Sequence, residues 1–201
     1  HELRTPVSSI RGYIETILNC PNLSDERKHY FLEKAHAQVE RLTDLIRDVA
    51  LITKTEEAAE LMPREQVDII HLIKDVQEEL HDKFEQTHMQ LHCTLPKDLA
   101  INGNYSLIYS IFRNLIENSL RYAGEGKSIY INCYKVSLEF VYFSVYDTGC
   151  GVPEEHLPRL FERFYRVTEG RTRDNGGTGL GLSIVRNAVC FHKGEIAVRN
   201  R

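Results

Sequence analysis

Five short motifs in this 201-residue chain contain the residues that could do chemistry. In chain order they are HELRTP at 1–6, NLIENSLRY at 114–122, DTGCGVP at 147–153, FERFYR at 161–166 and GGTGLGLSI at 176–184. A histidine beside a carboxylate is a nucleophile whose second ring nitrogen has a partner, and a glycine-rich turn that opens a helix is suited to phosphate. Together, in this order, the motifs predict a histidine that accepts a phosphoryl group and a pocket that holds ATP.

The second motif predicts a helix with one polar side. Asn114, Asn118 and Arg121 share that side by i, i+4, i+7 spacing. Amide oxygens coordinate Mg²⁺, and a guanidinium or its neighbours can reach phosphate, so Asn118 is the candidate metal ligand. Tyr122 is expected to pack beside the ribose or the base. A simply solvated helix face is the alternative interpretation of the spacing taken alone.

The third and fifth motifs predict glycine turns around the nucleotide. Asp147 ends an alternating strand and is expected to accept a hydrogen bond from the adenine amino group, while Gly149 and Gly151 let the chain turn beneath the base. The glycine run then offers the unpaired N–H groups of a helix start to phosphate. Its candidate residues are Gly177, Thr178, Gly179, Leu180 and Gly181. Either motif by itself could be a plain turn.

On these motifs the chain resembles the bacterial two-component sensor histidine kinases, and the resemblance covers nearly the whole chain. It implies that His1 is autophosphorylated by ATP and Mg²⁺ with Glu2 as its base, and that the phosphoryl group passes to an aspartate of a response regulator receiver domain. Arg166 matches a position that reaches the γ-phosphate, and the polar residues after it match a lid hinged at Phe161, Phe164 and Tyr165. Glu2 and Thr5 match the family's phosphatase motif, in which Thr5 would orient a water.

One position departs from the related clamp ATPases. Those enzymes have a glutamate base for water in the first half of the Asn helix, where this chain has Asn114. Slow hydrolysis of ATP is therefore expected, as suits a kinase, and Glu117 is not assigned the base role because it points about 100° away from Asn118. Two alternatives remain at this stage: an ATP-driven clamp ATPase of the same superfamily, or a non-catalytic dimeric scaffold.

Two helices are predicted to carry the histidine. Apolar residues recur at 4-3-4-3 spacing over 3–18 and again over 30–52, one narrow stripe per helix, and Pro21, Asn22, Ser24 and Asp25 separate them. An antiparallel hairpin follows. Because two helices cannot enclose a core, the stripes are expected to face a second copy and form a four-helix dimer; packing on the downstream domain is the alternative.

The remaining elements predict an ATP-binding α/β sandwich with helices on one face of a mixed, largely antiparallel sheet. A strand and a helix are expected over 67–87, strands over 90–95, 128–136 and 139–146, helices over 105–122 and 179–192, and a final strand over 195–198. The predicted fold class is α+β. The predicted organisation is a phosphoacceptor hairpin at 1–55, a linker at 56–66 and a catalytic domain of the gyrase, chaperone and histidine kinase type at 67–201, truncated at its end.

Composition limits the remaining possibilities. A net charge of −4 without a basic cluster gives no reason to expect nucleic acid. The five cysteines are odd in number and widely spaced, which favours reduced thiols in the cytosol. No apolar run approaches the ~20 residues of a membrane-spanning helix. We expect a soluble cytoplasmic fragment of a homodimeric sensor whose full-length form is anchored in the inner membrane.

Overall fold

The computed structural model describes residues 3–57, 61–167 and 177–200. These residues divide into two compact units: residues up to Leu51 with Gly177 and Thr178 form the first, and the remainder form the second. Within the described ranges, no helix combines the length and the apolar character that crossing a bilayer requires.

The first unit contains the predicted helical hairpin. Helix α1 spans Arg4–Asn19 and helix α2 spans Asp25–Glu57. Ser24 begins α2 as predicted, because its hydroxyl oxygen accepts a hydrogen bond from the Arg27 N–H at 3.4 Å. Helix α2 runs beyond residue 52 to Glu57, so the linker predicted at 56–66 begins inside it. Lysine and glutamate favour a helix even where the apolar period stops.

The apolar residues of the hairpin include a pair of stacked rings and a set of exposed side chains. Tyr13 of α1 stacks on Phe31 of α2 with ring centroids 6.0 Å apart, so these two rings join the helices. A second set is exposed. It comprises Leu3, Val7, Ile14 and Leu18 of α1 and Leu32, Val39, Ile46 and Val49 of α2. We call this set the exposed apolar stripe.

The second unit includes the end of α2 from Ile52 and continues with strand β1 at Glu65–Asp68 and helices α3 at Ile69–Glu79 and α4 at His81–Thr87. Strands β2 at Gln90–Thr94 and β3 at Ala100–Gly103 come next, then helix α5 at Tyr105–Tyr122. Strands β4 at Ser128–Val136 and β5 at Val141–Asp147 precede a short 3₁₀ helix at Glu154–Arg159 and helix α6 at Gly181–Phe191.

Two groups of strands form in this unit. Strands β1 and β3 pair antiparallel. Strand β4 lies between β2, which is parallel to it, and β5, which is antiparallel. The helices cover one side of the strands: Val76 of α3, Ile116 of α5 and Ile131 of β4 are fully buried in one core cluster. The α/β architecture predicted from the sequence is confirmed.

Four local predictions needed correction. Leu80 leaves the helical conformation (φ −94°, ψ 11°), so residues 69–87 form α3 and α4 rather than one helix, and both Leu80 and Phe84 are buried. Strand β3 was not predicted. Residues 195–198 do not form the expected strand, since no described residue pairs with them. Helix α6 begins at Gly181 and not at residue 179, because Gly179 has a positive φ of 73° that a right-handed helix excludes.

Candidate functional site

The start of α5 is fixed by three hydrogen bonds of one buried residue. The side-chain oxygen of Asn104 accepts from the Leu107 N–H at 3.1 Å, and its amide nitrogen donates to the Pro63 carbonyl at 2.8 Å. Its backbone N–H donates to Nε2 of His192 at 3.0 Å. Because both ends of these bonds lie in the second unit, they set the position of the helix that carries the asparagine motif.

His192 at the end of α6 is held as a neutral imidazole. Its Nδ1 lies 2.7 Å from the Ala188 carbonyl and must donate to it, which leaves Nε2 as the acceptor for Asn104. Burial lowers the pKa of His192, and the bond to Ala188 only partly opposes that effect. Gly103 permits the approach, since a Cβ there would lie 2.5 Å from Nε2.

The asparagine face of α5 meets the start of α6. The Asn114 amide nitrogen donates to the Ser110 carbonyl at 2.8 Å. Its Oδ1 faces Gly181, where an added Cβ would lie 2.7 Å from that oxygen. A side chain at position 181 would therefore displace the amide oxygen of Asn114. Asn118 and Arg121 are partly exposed on the same helix, and Tyr122 is exposed.

Asp147 joins the end of β5 to α5. One carboxylate oxygen accepts from the Ser119 hydroxyl and the other from the Gly149 N–H, both at 2.9 Å. Gly149 packs directly on α5, because a Cβ there would lie 2.7 Å from the Cα of Ala123. Gly151 has a φ of 72°, which places the turn in the left-handed region. The end of β5, the turn after it and α5 are thus held together by direct contacts.

The aromatic motif reaches the glycine turn through its backbone. The Phe164 N–H donates to the Gly179 carbonyl at 2.8 Å, and a Cβ on Gly179 would lie 2.8 Å from the Phe164 backbone. Phe164, one of the three predicted hinge residues, is 47% exposed. Tyr165 is better fixed, because its hydroxyl lies 2.6 Å from Nδ1 of His156 and the Arg159 guanidinium lies 4.2 Å from its ring centroid.

Glu117 is an ion-pair centre on α5. Its side chain is only 12% exposed and contacts Lys83, Nη1 of Arg113 at 2.9 Å and Nη2 of Arg121 at 3.2 Å. Burial raises the pKa of Glu117, but the hydrogen bond from Lys83 and the charges of Arg113, Lys83 and Arg121 outweigh it and hold the pKa below its ordinary value. A carboxylate so strongly paired is a poor proton acceptor, and this pairing does not suit Glu117 to act as a base.

Several predicted residues lie elsewhere or outside the described part of the chain. His1 and Glu2 are outside it, as are residues 168–176, which include Gly176 of the glycine run and much of the predicted lid. Thr5 is exposed in the first turn of α1. Thr178 belongs to the first unit, where its hydroxyl lies 3.2 Å from Asp48. Gly177 and Leu180 are buried, the former in the first unit and the latter in the second, and Arg166 is partly exposed.

Among the described residues, no group of three or more His, Cys, Asp and Glu side chains is arranged to hold a metal. The candidate Mg²⁺ ligand is instead the amide oxygen of Asn118. This donor set fits the ion, because Mg²⁺ keeps several waters and is usually bound by one or two protein ligands together with substrate phosphates.

Two polar contacts of this region were not predicted from the sequence, the hydrogen bond of Ser119 to Asp147 and the ion pairs of Glu117. The second had a signal in the sequence, since Arg113 and Arg121 flank Glu117 at i−4 and i+4. Ser119 had none, because a serine inside a helix does not indicate which strand end it will meet.

Two family models match the chain. The family described as histidine kinase-, DNA gyrase B- and HSP90-like ATPase matches residues 103–201, and the His Kinase A (phospho-acceptor) domain matches residues 1–58. The first range contains α5, Asp147 and the glycine turn, and the second contains His1 and the hairpin.

Curated relatives match over nearly all of the chain. Drug sensory protein A of Synechocystis sp. is 34% identical over 98% of this chain and 31% of its own length. The signal transduction histidine-protein kinase BaeS of Escherichia coli is 34% identical over 98% of this chain and 41% of its own. The chain therefore spans well under two thirds of the relatives it matches.

Solved structures share the fold. The Acinetobacter baumannii histidine kinase AdeS superposes with a TM-score of 0.76 at 24% identity, over 95% of this chain and 86% of that one. The histidine kinase ThkA, solved in complex with the response regulator protein TrrA, superposes with a TM-score of 0.73 at 23% identity, over 100% of this chain and 55% of that one.

Proposed function

This chain belongs to the two-component sensor histidine kinases, and from that premise we propose that it transfers the γ-phosphoryl group of ATP to His1 and then to an aspartate of a response regulator. The observation that carries the proposal is the meeting of three motifs in the second unit. Asn114 touches Gly181, Gly149 packs on Ala123 and Asp147 is bonded to Ser119. These contacts bring the asparagine helix, the Asp147 turn and the start of α6 together within the second unit.

Adenine recognition is assigned to Asp147. Its two oxygens already accept from Ser119 and Gly149, and a carboxylate has about four lone-pair sites, so acceptor capacity remains for the adenine amino group. The backbone turn over Gly149 and Gly151 and the exposed ring of Tyr122 would flank the base and ribose.

The phosphates would lie between Asn118, Arg121 and the start of α6. Gly179 and Leu180 lead into that helix, which begins at Gly181 and whose first N–H groups and positive dipole end favour anions. Asn118 would hold Mg²⁺ through its amide oxygen. When bound there, the ion would neutralise charge on the phosphate oxygens, which together with positioning is what catalysis of phosphoryl transfer requires.

His1 would act as the nucleophile. A ring nitrogen attacks the γ-phosphorus, the bond from that phosphorus to the bridging oxygen breaks, and ADP leaves with the electron pair. Glu2 would hold the N–H of the other ring nitrogen and relieve the positive charge of the phosphorylated ring. Arg166 would contact the γ-phosphate. In the second reaction the phosphoryl group passes from the histidine nitrogen to an aspartate carboxylate of the regulator.

A phosphatase activity is a second candidate function of the first unit. The side chain of Thr5 is exposed in the first turn of α1, next to the sequence position of His1 and Glu2. A hydroxyl there can donate to and accept from a water that attacks the phosphoaspartate of a docked regulator. Glu2 and Thr5 would together form this motif.

The exposed apolar stripe supports a homodimer. The stripe consists of eight exposed apolar side chains, and an apolar surface of this kind is normally covered by a partner. A second copy would bury it in a four-helix bundle. Light scattering should give twice the chain mass, and a monomer at high micromolar concentration would reject this assembly.

The site of action proposed is the cytoplasm, where ATP and reduced thiols coexist. The odd number and wide spacing of the five cysteines favour reduced thiols, which are typical of a reducing compartment. Because the chain spans less than half of the two relatives compared above, we propose that it is the cytoplasmic part of a longer, membrane-anchored sensor.

The test follows the label in two steps. The protein is incubated with ATP labelled at the γ-phosphate, separated from free nucleotide, and mixed with a purified receiver domain. We expect label first on the protein and then on the receiver domain, and no transfer to a receiver whose acceptor aspartate is replaced by asparagine. A protein that hydrolyses ATP without becoming labelled would support the clamp ATPase, and one that binds no nucleotide would support the scaffold.

A further inference from the structure

A row of alternating charges crosses from α3 and α4 to the nucleotide side of α5. Glu79 of α3 accepts from Nε of Arg113 at 2.8 Å, and Arg113 donates through Nη1 to Glu117 at 2.9 Å. Glu117 then accepts from Nη2 of Arg121 at 3.2 Å and also contacts Lys83 of α4. Arg121 is the end of this row, and it is also the cation assigned above to the phosphates.

Burial makes the last pair of this row more than a surface contact. The Glu117 side chain is 12% exposed and that of Arg121 is 30% exposed, so water and salt screen their attraction less than they would on an open surface. Lys83 and Arg113 hold the carboxylate from two other helical positions, and it therefore has little freedom to follow Arg121. The Glu117 carboxylate is therefore the fixed partner, and it restrains the guanidinium of Arg121.

The geometry leaves Arg121 able to bind a second anion. The contact with Glu117 uses the Nη2 end of a planar group that has five N–H donors. A guanidinium held at one end by a carboxylate presents its other donors in a defined plane, and such planar groups suit the oxygen pairs of a phosphate.

We propose that Glu117 is a positioning residue that orients Arg121 toward the phosphates of the bound nucleotide. This inference rests on the proposed function, because it takes the phosphate role of Arg121 from it. Its consequence is selective: Glu117 acts on recognition of the phosphates and leaves recognition of the adenine, assigned to Asp147, unchanged.

A purely structural role for Glu117 predicts something different. The contact between Glu117 and Lys83 also ties α4 to α5, so its loss could loosen the whole unit. In that case adenine and phosphate recognition would suffer alike, because Asp147 is itself bonded to α5 through Ser119. Comparing ATP with adenosine, which lacks phosphates, separates the two roles.

The experiment measures binding of Mg-ATP and of adenosine to the purified chain and its variants by calorimetry. Glu117→Gln should weaken Mg-ATP about tenfold, the effect of losing one charged hydrogen bond, and change adenosine by less than about twofold. The matched control is Glu85→Gln, which removes an exposed carboxylate of α4 outside this row and should change neither ligand. Circular dichroism verifies that each variant is folded.

A second pair of variants tests the route through Arg121. In an Arg121→Gln background, adding Glu117→Gln should weaken Mg-ATP by less than about twofold further, because the residue to be oriented is gone. If Glu117→Gln does not fold, Glu117→Asp, which keeps the charge and shortens its reach, should show the same selective loss of Mg-ATP on a smaller scale.

The outcomes distinguish a failure of the positioning role of Glu117 from a failure of the proposed function. Equal losses for adenosine and Mg-ATP, an unchanged or higher affinity for Mg-ATP, or additive effects of the two substitutions would each overturn the positioning role while the proposed function stands. A wild-type chain that binds neither ligand would overturn the proposed function, and the role of Glu117 with it.

Discussion

Asp147→Asn tests whether Asp147 recognises adenine, because it changes only the side-chain atoms that are proposed to contact the base. The substitution keeps the size of the side chain but replaces two acceptor oxygens by one oxygen and one NH₂ group. In the wild type those oxygens accept from the Ser119 hydroxyl and the Gly149 N–H, both at 2.9 Å. The asparagine oxygen can keep the bond to Gly149, and Ser119 can rotate to accept from the NH₂ group. The scaffold therefore survives, and what is lost is the charged acceptor for the adenine amino group.

The expected magnitude follows from that loss. A hydrogen bond to a charged group contributes about 1.5–3 kcal/mol, and leaving a buried donor unpaired costs about 1–3 kcal/mol. At 1.4 kcal/mol per factor of ten, ATP affinity should fall about 5- to 150-fold. GTP has a carbonyl oxygen where ATP has its amino group, and the NH₂ group of asparagine can donate to it. The preference for ATP over GTP should therefore narrow.

The assay is a titration with a fluorescent ATP analogue, followed by competition with unlabelled ATP and GTP. Asp82→Asn on α4 is the matched control, since it removes an exposed carboxylate away from the site and should leave both affinities unchanged. Ser119→Ala should weaken ATP less than Asp147→Asn, because it frees the carboxylate without removing it. An Asp147→Asn variant with wild-type ATP affinity would refute the assignment.

Three further predictions concern the metal ligand, the phosphatase motif and pH. Asn118→Ala should abolish autophosphorylation while circular dichroism remains that of the wild type; a variant that keeps most of the activity would remove Asn118 from the metal site. Thr5→Ala should leave autophosphorylation within a few-fold of the wild type and slow regulator dephosphorylation by a larger factor, whereas equal losses would make Thr5 a structural residue. Because the pKa of His192 is lowered from 6.5 in the folded chain, stability should be full above pH 6.5 and decline as the pH falls below it. Denaturant titrations should show that the stability of His192→Gln falls less below pH 6.5 than that of the wild type. An identical dependence of stability on pH would contradict the hydrogen bond between the Asn104 N–H and a neutral His192.

The parts of the fold that were predicted correctly have long, regular apolar patterns. Helix α5 and strand β4 have the predicted bounds, because eighteen and nine residues respectively are enough to show a period. Strand β3 has only four residues, of which two are Asn102 and Gly103, and such a stretch reads as a turn. Residues 195–198 alternate between polar and apolar types, as in a strand. A strand also needs a neighbouring strand to pair with, and the alternation does not show whether one is present.

The candidate site was predictable as a set of motifs and not as a set of contacts. The sequence gives the side of α5 on which Asn114, Asn118 and Arg121 lie, since helical spacing determines it. It does not give the approach of Gly181 to Asn114, or the bond between Ser119 and Asp147, because both depend on how distant segments pack. The positioning role inferred for Glu117 depends on Lys83, 34 positions away in the chain.

The chemistry of the phosphorylated residue tests the central claim most directly. A phosphoryl group on a histidine nitrogen is lost in acid and retained in base, whereas one on serine or threonine survives acid. After incubation with γ-labelled ATP and Mg²⁺, the protein should carry label that is acid-labile and base-stable, and His1→Gln should carry none. Acid-stable label, or acid-labile label that persists in His1→Gln, would contradict the account.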